Sequence, residues 1–558
     1  MARIVRIGVE FFERIIENNY FYVDKTLFIK EFLEKRGDVT LITRPRRFGK
    51  TLNMHMMKEF FDITKDTKAM FSGLKITEHQ DIINKHQNQN PVIYITLKNV
   101  ESSTYPEAVN NIKRLISSLY LENDYLLKSK KLNKYQKASI NSYLMTTCTV
   151  DELKNSLKYL TECFHTHHQK KTIVLVDEYD TPLNNSVFKN YYPDMIEFMR
   201  GFLGDVFKGN NFLEFGLLTG VQRIAKQSLM SSFNNPKVSG IMDKDFTTCF
   251  GFTEEEVKAA CEEFEVSCDF DDVKNWYNGY RFGGIDMYNP WSITGFLHAK
   301  EIKNFWINTG GTGLMDNMVS EGSIKLKNSL AGLLTGTPVA MNYDSSIMFP
   351  INLEDDDAFW SILFNTGYLK PCIGSSGNSF LAELVNMEVH DLFKSCINRW
   401  FRRSKLGIHQ TVQEFVDCLF SGDAEGVSRV LNEELLINPS YHDYKEENSY
   451  HMFIFGILIA ASGYRYFDNK FYTVYSNRES GKGRSDCLIK PVDKNNYAVI
   501  IEFKHLKKEG FDLSEVAEEG LKQIEEKSYI HTLKQEGYEK VYKFSIAFYQ
   551  KTCAVAFL

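Results

Sequence analysis

The sequence predicts a multidomain α/β protein: a three-layer α/β/α core, a helical lid and connector, and a second, C-terminal α/β unit. Three observations carry the prediction. Val39-Thr40-Leu41-Ile42-Thr43 is a short β-branched run that leads into a loop ending Gly49-Lys50-Thr51 and then into helix-forming text. Two further apolar runs, 172–176 and 212–218, are set apart by long helical stretches, the alternation of a sheet covered on both faces. A last group of short apolar runs, at 471–475, 487–489 and 497–501, closes the chain.

The size agrees with several domains. A chain of 558 residues exceeds what one hydrophobic core usually organises. With 42 Phe and 29 Tyr, it has the large side chains that such cores need. A net charge of −6 argues against a wholly basic nucleic-acid coat but leaves room for a local basic groove. The ten cysteines, from Cys148 to Cys553, include no C-x-x-C pair, so they read as buried thiols in a reducing compartment rather than as a zinc ribbon. The N-terminus lacks the apolar core of a signal peptide, and the most apolar run, 452–461, is ten residues long, too short to span a bilayer. A cytosolic protein with no membrane partner is expected.

In chain order, residues 1–38 are a lead-in, with Phe11, Phe12, Ile15 and Ile16 on one helical face and Asp24 able to cap a helix over 25–35. The run 91–97 adds a strand, and 105–170 reads as mostly helical. The first domain is expected to cover 1–250. Residues 251–340 read as helical and aromatic, a lid or accessory domain, and 341–440 as an α+β connector. Residues 441–558 form the last unit. No internal repeat or low-complexity tract interrupts the chain.

The stretch Arg44-Pro45-Arg46-Arg47-Phe48-Gly49-Lys50-Thr51 has the context of a phosphate-binding loop: strand before, helix after. Backbone N–H groups from Arg47 through Gly49 can wrap phosphates, Lys50 adds charge, and the Thr51 hydroxyl can hold Mg²⁺. The general pattern wants Gly at position 44, where this chain has Arg44, so a basic surface turn also explains the stretch taken alone. Asp177, after four apolar residues, suits a strand-end carboxylate that holds Mg²⁺ through water, and Glu178 is then placed to polarise a water for attack on a γ-phosphate. Thr219 can contact the γ-phosphate or that water, and Arg223 can neutralise transition-state charge. A solvated strand end and helix explain Thr219 and Arg223 as well, and a solvated basic turn explains Arg46 and Arg47.

The C-terminal unit carries a different pattern. Asp486 opens a strand, and an apolar run enters Glu502-Phe503-Lys504. Glu502 and Lys504 point to the same face of their strand. Asp486 and Glu502 can then share a divalent metal, Mg²⁺ or Mn²⁺, while Lys504 orients water or stabilises charge, the chemistry of phosphodiester hydrolysis. Glu447 can add a third acid, and Gln523 can face the same site; for both, a solvated helix position is the equal alternative.

The order Tyr22-Val23-Asp24-Lys25-Thr26, Arg44 to Thr51, Val176-Asp177-Glu178-Tyr179-Asp180, Leu218-Thr219-Gly220, Trp276-Tyr277-Asn278-Gly279-Tyr280 and Asn308-Thr309-Gly310-Gly311 resembles bacterial AAA-ATPase-like proteins with a C-terminal PD-(D/E)XK nuclease-superfamily domain. The resemblance covers nearly the whole chain. In that family the loop is commonly R-P-R-R-F-G-K-[ST], so Arg44 matches it. The resemblance implies a P-loop ATPase fused to a restriction-endonuclease-like fold, with Asp486, Glu502 and Lys504 on the motif positions. It implies ATP and a divalent metal as cofactors, DNA or RNA as partner, and leaves open an oligomer, since AAA-type ATPases often form rings. Fold alone does not settle whether the C-terminal domain cleaves or only binds.

Overall fold

The computed structural model describes residues 3–224, 236–306, 324–334, 336–345, 356–372, 377–403, 408–437, 454, 458, 472–480, 483–506, 512–526 and 530–558. They form two compact units. One comprises residues 1–309 and 341–388, the other 310–340 and 389–558.

The first unit is built on five strands: β1 (Val39–Thr43), β2 (Val92–Thr96), β3 (Thr172–Asp177), β4 (Leu213–Gly220) and β5 (Lys237–Ser239). Their order is β2-β3-β4-β1-β5, and every neighbouring pair is parallel. All residues of β1 and β3 are buried, which is why both read as unbroken apolar runs rather than alternating ones. β5 was not legible in the sequence, because three residues give too little pattern to recognise. Helices Tyr105–Glu122, Val150–His168 and Tyr192–Phe207 supply much of the core against the sheet. Their starts follow local chemistry. Pro106 and Pro193 lie in first turns, and Thr149 closes a capping box with Glu152.

This topology gathers distant residues at one edge. β4 lies between β1 and β3, so the loop after β1, Asp177 at the end of β3 and Thr219 near the end of β4 share the carboxyl edge of the sheet. The stretch expected to be a helical lid holds helices Glu254–Glu263, Phe270–Tyr277 and Pro290–Ala299, and also a hairpin, β6 (Tyr280–Phe282) and β7 (Ile285–Met287). Gly283 and Gly284, both with positive φ, turn that hairpin. Strand β8 (Val339–Asn342) follows, and then β9 (Leu369–Pro371) pairs antiparallel with β10 (Ser379–Leu384).

The second unit holds a mixed sheet of β11 (Tyr472–Ser480), β12 (Gly483–Pro491), β13 (Ala498–His505), β14 (Val541–Tyr549) and β15 (Thr552–Phe557), in that order. Only β13 and β14 are parallel. The two faces separate by alternation. Cys487, Ile489, Val499, Ile501 and Phe503 pack with the helices Ile408–Ser421 and Ala424–Ile437. Leu488, Ala498 and Ile500 pack on the other face with Ile524 and Leu533, from the helices Leu513–Glu526 and Ile530–Gln535. Both units are therefore α/β, as the sequence predicts, and the sheet of the second carries helices on both faces. Among the described residues, no helix is long and apolar enough to cross a membrane.

Candidate functional site

Arg44 is the residue that departs from the general phosphate-loop pattern, and its side chain turns out to be structural. It is fully buried. Its Nη1 donates to the carbonyls of Thr43 (2.8 Å), Ser239 (3.0 Å) and Gly240 (2.9 Å). Its Nη2 donates to the carbonyls of Asp245 (3.1 Å) and Phe246 (3.3 Å). The rings of Phe250 and Phe282 flank the guanidinium. Burial pulls its pKa down to about 10. The left-handed residues of the loop are Arg47 (φ 68°) and Gly49 (φ 83°), and Arg44 is not among them. Glycine is therefore not needed at position 44, and the arginine ties the end of β1 to the segment after β5.

The rest of the loop is held from outside. Phe48 is buried against Tyr280 (4.7 Å between ring centroids) and Phe282 (5.0 Å), and its carbonyl accepts from Gly251 N–H. Asn289 Nδ2 donates to the Arg46 carbonyl at 3.3 Å. Lys50 opens the helix Lys50–Phe61, with Gly49 as its N-cap. Its Nζ donates to the loop carbonyls of Pro45 (2.9 Å) and Arg44 (3.1 Å). Burial lowers the Lys50 pKa, against the attraction of Glu178, Asp177 and Asp180.

Thr51 Oγ1 donates to Asp177 Oδ2 at 2.6 Å, and Thr219 Oγ1 donates to Asp177 Oδ1 at 2.6 Å. Asp177 is fully buried, and burial raises its pKa while the two hydroxyls pull it back. Glu178 stands next to it with φ 52° and accepts from Thr181 Oγ1 at 3.3 Å. A cavity of about 310 Å³ opens beside the loop, lined by Arg47, Lys50, Thr51, Glu178 and Trp291 among others. Asp177 and Thr219 are outside its lining. Arg223 is also outside the lining, and its Nη1 reaches Ser345 Oγ at 3.5 Å. The hydroxyl of Thr51 and the carboxylate of Asp177 are hard oxygen donors, the set that suits Mg²⁺.

Other residues, which the sequence marks only as part of the resemblance and without a role, brace this edge. Asp180 Oδ2 accepts from the backbone N–H groups of Val221 (3.1 Å) and Gln222 (3.0 Å). Tyr179 O–H donates to the Gln222 carbonyl at 2.7 Å. The segment after β4 is thus pinned to the end of β3. The stretch Asp24-Lys25-Thr26 has a similar bracing part. Asp24 Oδ1 accepts from Thr26 N–H, and Lys25 Nζ donates to Glu256 and to the Thr248 carbonyl. The start signal at Asn289-Pro290, an N-cap before a proline, was the available clue to Trp291 beside the loop.

In the second unit, the β12–β13 register pairs Cys487 with Ile501 and Leu488 with Ile500, which brings Asp486 to the strand beside Glu502. Asp486 Oδ2 accepts from the Phe503 N–H at 2.8 Å. Glu502 is buried at 3% exposure, and Lys504 Nζ lies 3.5 Å from its Oε1. Gln523, on the helix Leu513–Glu526, bridges the two: its Nε2 donates to Glu502 Oε1, and its Oε1 accepts from Lys504 Nζ at 2.5 Å. That helix can come so close because residue 520 is glycine. A Cβ there would collide with Ser545 Oγ on β14. Carboxylate and amide oxygens suit a hard divalent cation. Among the described residues, no cluster of three or more His, Cys, Asp or Glu side chains gathers as a metal site. Glu447 and the Asn308-to-Gly311 motif lie outside the described residues.

Comparison with known proteins follows the same division. Residues 6–230 match the family described as "Predicted AAA-ATPase", and residues 445–557 match the PD-(D/E)XK nuclease superfamily. The chain is also 26% identical over 317 residues to a protein of Azotobacter chroococcum mcd 1, named "Uncharacterized protein in vnfD 5'region". That match spans 56% of this chain and 56% of the relative, so the chain covers about half of the relative's length. The chain therefore carries an AAA-ATPase-like domain over residues 6–230 and a C-terminal PD-(D/E)XK nuclease-superfamily domain over residues 445–557.

Proposed function

We propose that the protein binds and hydrolyses ATP at the loop Arg44 to Thr51, and that its nucleotide state regulates a metal-dependent nuclease at Asp486, Glu502 and Lys504. The observation that carries the first half is the hydrogen bond from Thr51 Oγ1 to Asp177 Oδ2 at 2.6 Å. It joins the loop's last residue to the strand-end carboxylate, the pair that would hold Mg²⁺ on a nucleotide. The ion, when bound, would neutralise phosphate charge. Lys50 and the backbone N–H groups of Arg47, Phe48 and Gly49 bind phosphate, and Glu178 takes a proton from the attacking water. Thr219 orients Asp177 through its own hydroxyl. Arg223 serves as a more distant cation.

The second half is supported by the cluster of Glu502, Lys504 and Gln523 and by the family match over residues 445–557. Asp486 and Glu502 would hold Mg²⁺ or Mn²⁺, which when bound would activate water. Lys504 orients the water or stabilises the charge that develops on the attacked phosphate, and the substrate is DNA or RNA.

Turnover of ATP by the purified full-length chain tests the nucleotide site. Lys50→Ala is expected to abolish nucleotide binding, and Glu178→Gln to keep binding while hydrolysis falls by orders of magnitude. Unchanged nucleotide binding in Lys50→Ala would remove the assignment.

A further inference from the structure

Arg47 differs from the other basic residues of the loop. Arg44 is buried as a structural tie, and Arg46 and Arg47 both line the cavity, Arg46 exposed and Arg47 half-buried. Its backbone is held in the left-handed region, φ 68°, which non-glycine residues seldom adopt without compensation. Its guanidinium stacks on the indole of Trp291, 4.2 Å from the ring centroid. Burial lowers the Arg47 pKa, and the charges of Glu10 and Glu178 oppose that effect. Arg47 and Glu178 both line the cavity.

The indole itself is fixed. Trp291 Nε1 donates to the Phe305 carbonyl at 3.1 Å, and its backbone N–H donates to Asn289 Oδ1 at 2.9 Å. Asn289 also holds the loop, through the Arg46 carbonyl. One short segment thus sets both the loop backbone and the plane on which Arg47 rests. A stacked guanidinium uses its face for the ring and keeps its N–H donors in the plane, directed outward at the edges. That is the presentation a phosphate group needs.

We propose that Trp291 is a positioning residue that holds Arg47 as a second cation, besides Lys50, for the terminal phosphate of a nucleoside triphosphate. This rests on the phosphate-binding reading of the loop. Lys50 emerges at the helix start and Arg47 precedes it in the loop, and both line the cavity together with Glu178, the residue assigned to the attacking water. A second cation on the phosphate that is attacked distinguishes a triphosphate from a diphosphate.

The test measures the affinity of the full-length protein for a non-hydrolysable ATP analogue and for ADP, with wild type, Arg47→Ala, Trp291→Leu and the double variant. Arg47→Ala is expected to lose at least about tenfold in triphosphate affinity relative to ADP, and Trp291→Leu about fivefold. The double variant is expected to be no worse than Arg47→Ala, because Trp291 acts through the arginine. Trp291→Phe, which keeps an aromatic face, is expected to restore most of the ratio. Equal losses for both nucleotides, additive losses in the double variant, or an unchanged ratio in Arg47→Ala would each overturn the proposal. If Trp291→Leu does not fold, Trp291→Phe decides: a ratio as low as that of Arg47→Ala overturns it. Wild type binding neither nucleotide would instead overturn the phosphate-binding reading, and the proposal with it.

Discussion

Thr51 and Asp177 meet through a 2.6 Å hydrogen bond across 126 residues of sequence. The loop that ends in Thr51 follows β1, and Asp177 closes β3, two strands away, with β4 between them. The contact exists because a parallel sheet delivers the carboxyl ends of all its strands to one edge. Thr219, at the end of the intervening strand, occupies the other carboxylate oxygen.

Thr51→Val removes that hydroxyl while nearly conserving volume. The expected outcome is a protein that folds, binds nucleotide without Mg²⁺ nearly as before, and loses most of the gain that Mg²⁺ brings. Calorimetric titration of ADP with and without Mg²⁺ checks this. An undiminished Mg²⁺ effect would remove Thr51 from the metal site.

Arg44→Gly would recreate the general loop pattern, yet the contacts predict harm. It would remove the guanidinium donors from the carbonyls of Ser239, Gly240, Asp245 and Phe246 and empty the space between two aromatic rings. The expected loss is about 3 kcal/mol or more of stability. Chemical denaturation measures it, and a variant as stable as wild type would contradict the structural part assigned to Arg44.

Stability is also expected to depend on pH through buried histidines. His55 lies between the rings of Phe11 (4.7 Å) and Tyr94 (4.6 Å), and burial lowers its pKa to about 4. Burial likewise lowers His168 to about 4. The unfolded chain, with histidines near 6.5, binds more protons between these values. The contribution is therefore fully present above pH 6.5 and is lost as pH falls toward 4. Thermal unfolding across that range should show a falling midpoint, with a shallower slope in His55→Phe. Equal slopes in both proteins would contradict it.

Much of the fold was legible because buried parallel strands write themselves as apolar runs. β1 and β3 are buried at every residue, and the alternation in β13 places Glu502 and Lys504 on one face. Contacts made by side chains over long sequence distances were not legible. Nothing local shows that Arg44 reaches carbonyls near residues 239–246, or that Arg47 rests on Trp291. The hairpin β6–β7, in text that reads as helical, is likewise set by its partners: Tyr280 and Phe282 pack on Phe48. Gln523 reaches Glu502 only because Gly520 lets its helix approach β14, a packing fact invisible in the motif.

The central claim joins two sites in one chain, and one measurement addresses it most directly. Labelled DNA and RNA are incubated with the full-length protein and Mg²⁺ or Mn²⁺, with and without ATP, alongside Lys50→Ala and Asp486→Ala. The account predicts metal-dependent cleavage that changes with ATP in wild type, ignores ATP in Lys50→Ala, and disappears in Asp486→Ala. Cleavage equally indifferent to ATP in wild type and Lys50→Ala, or no cleavage of either polymer under any condition, would contradict it.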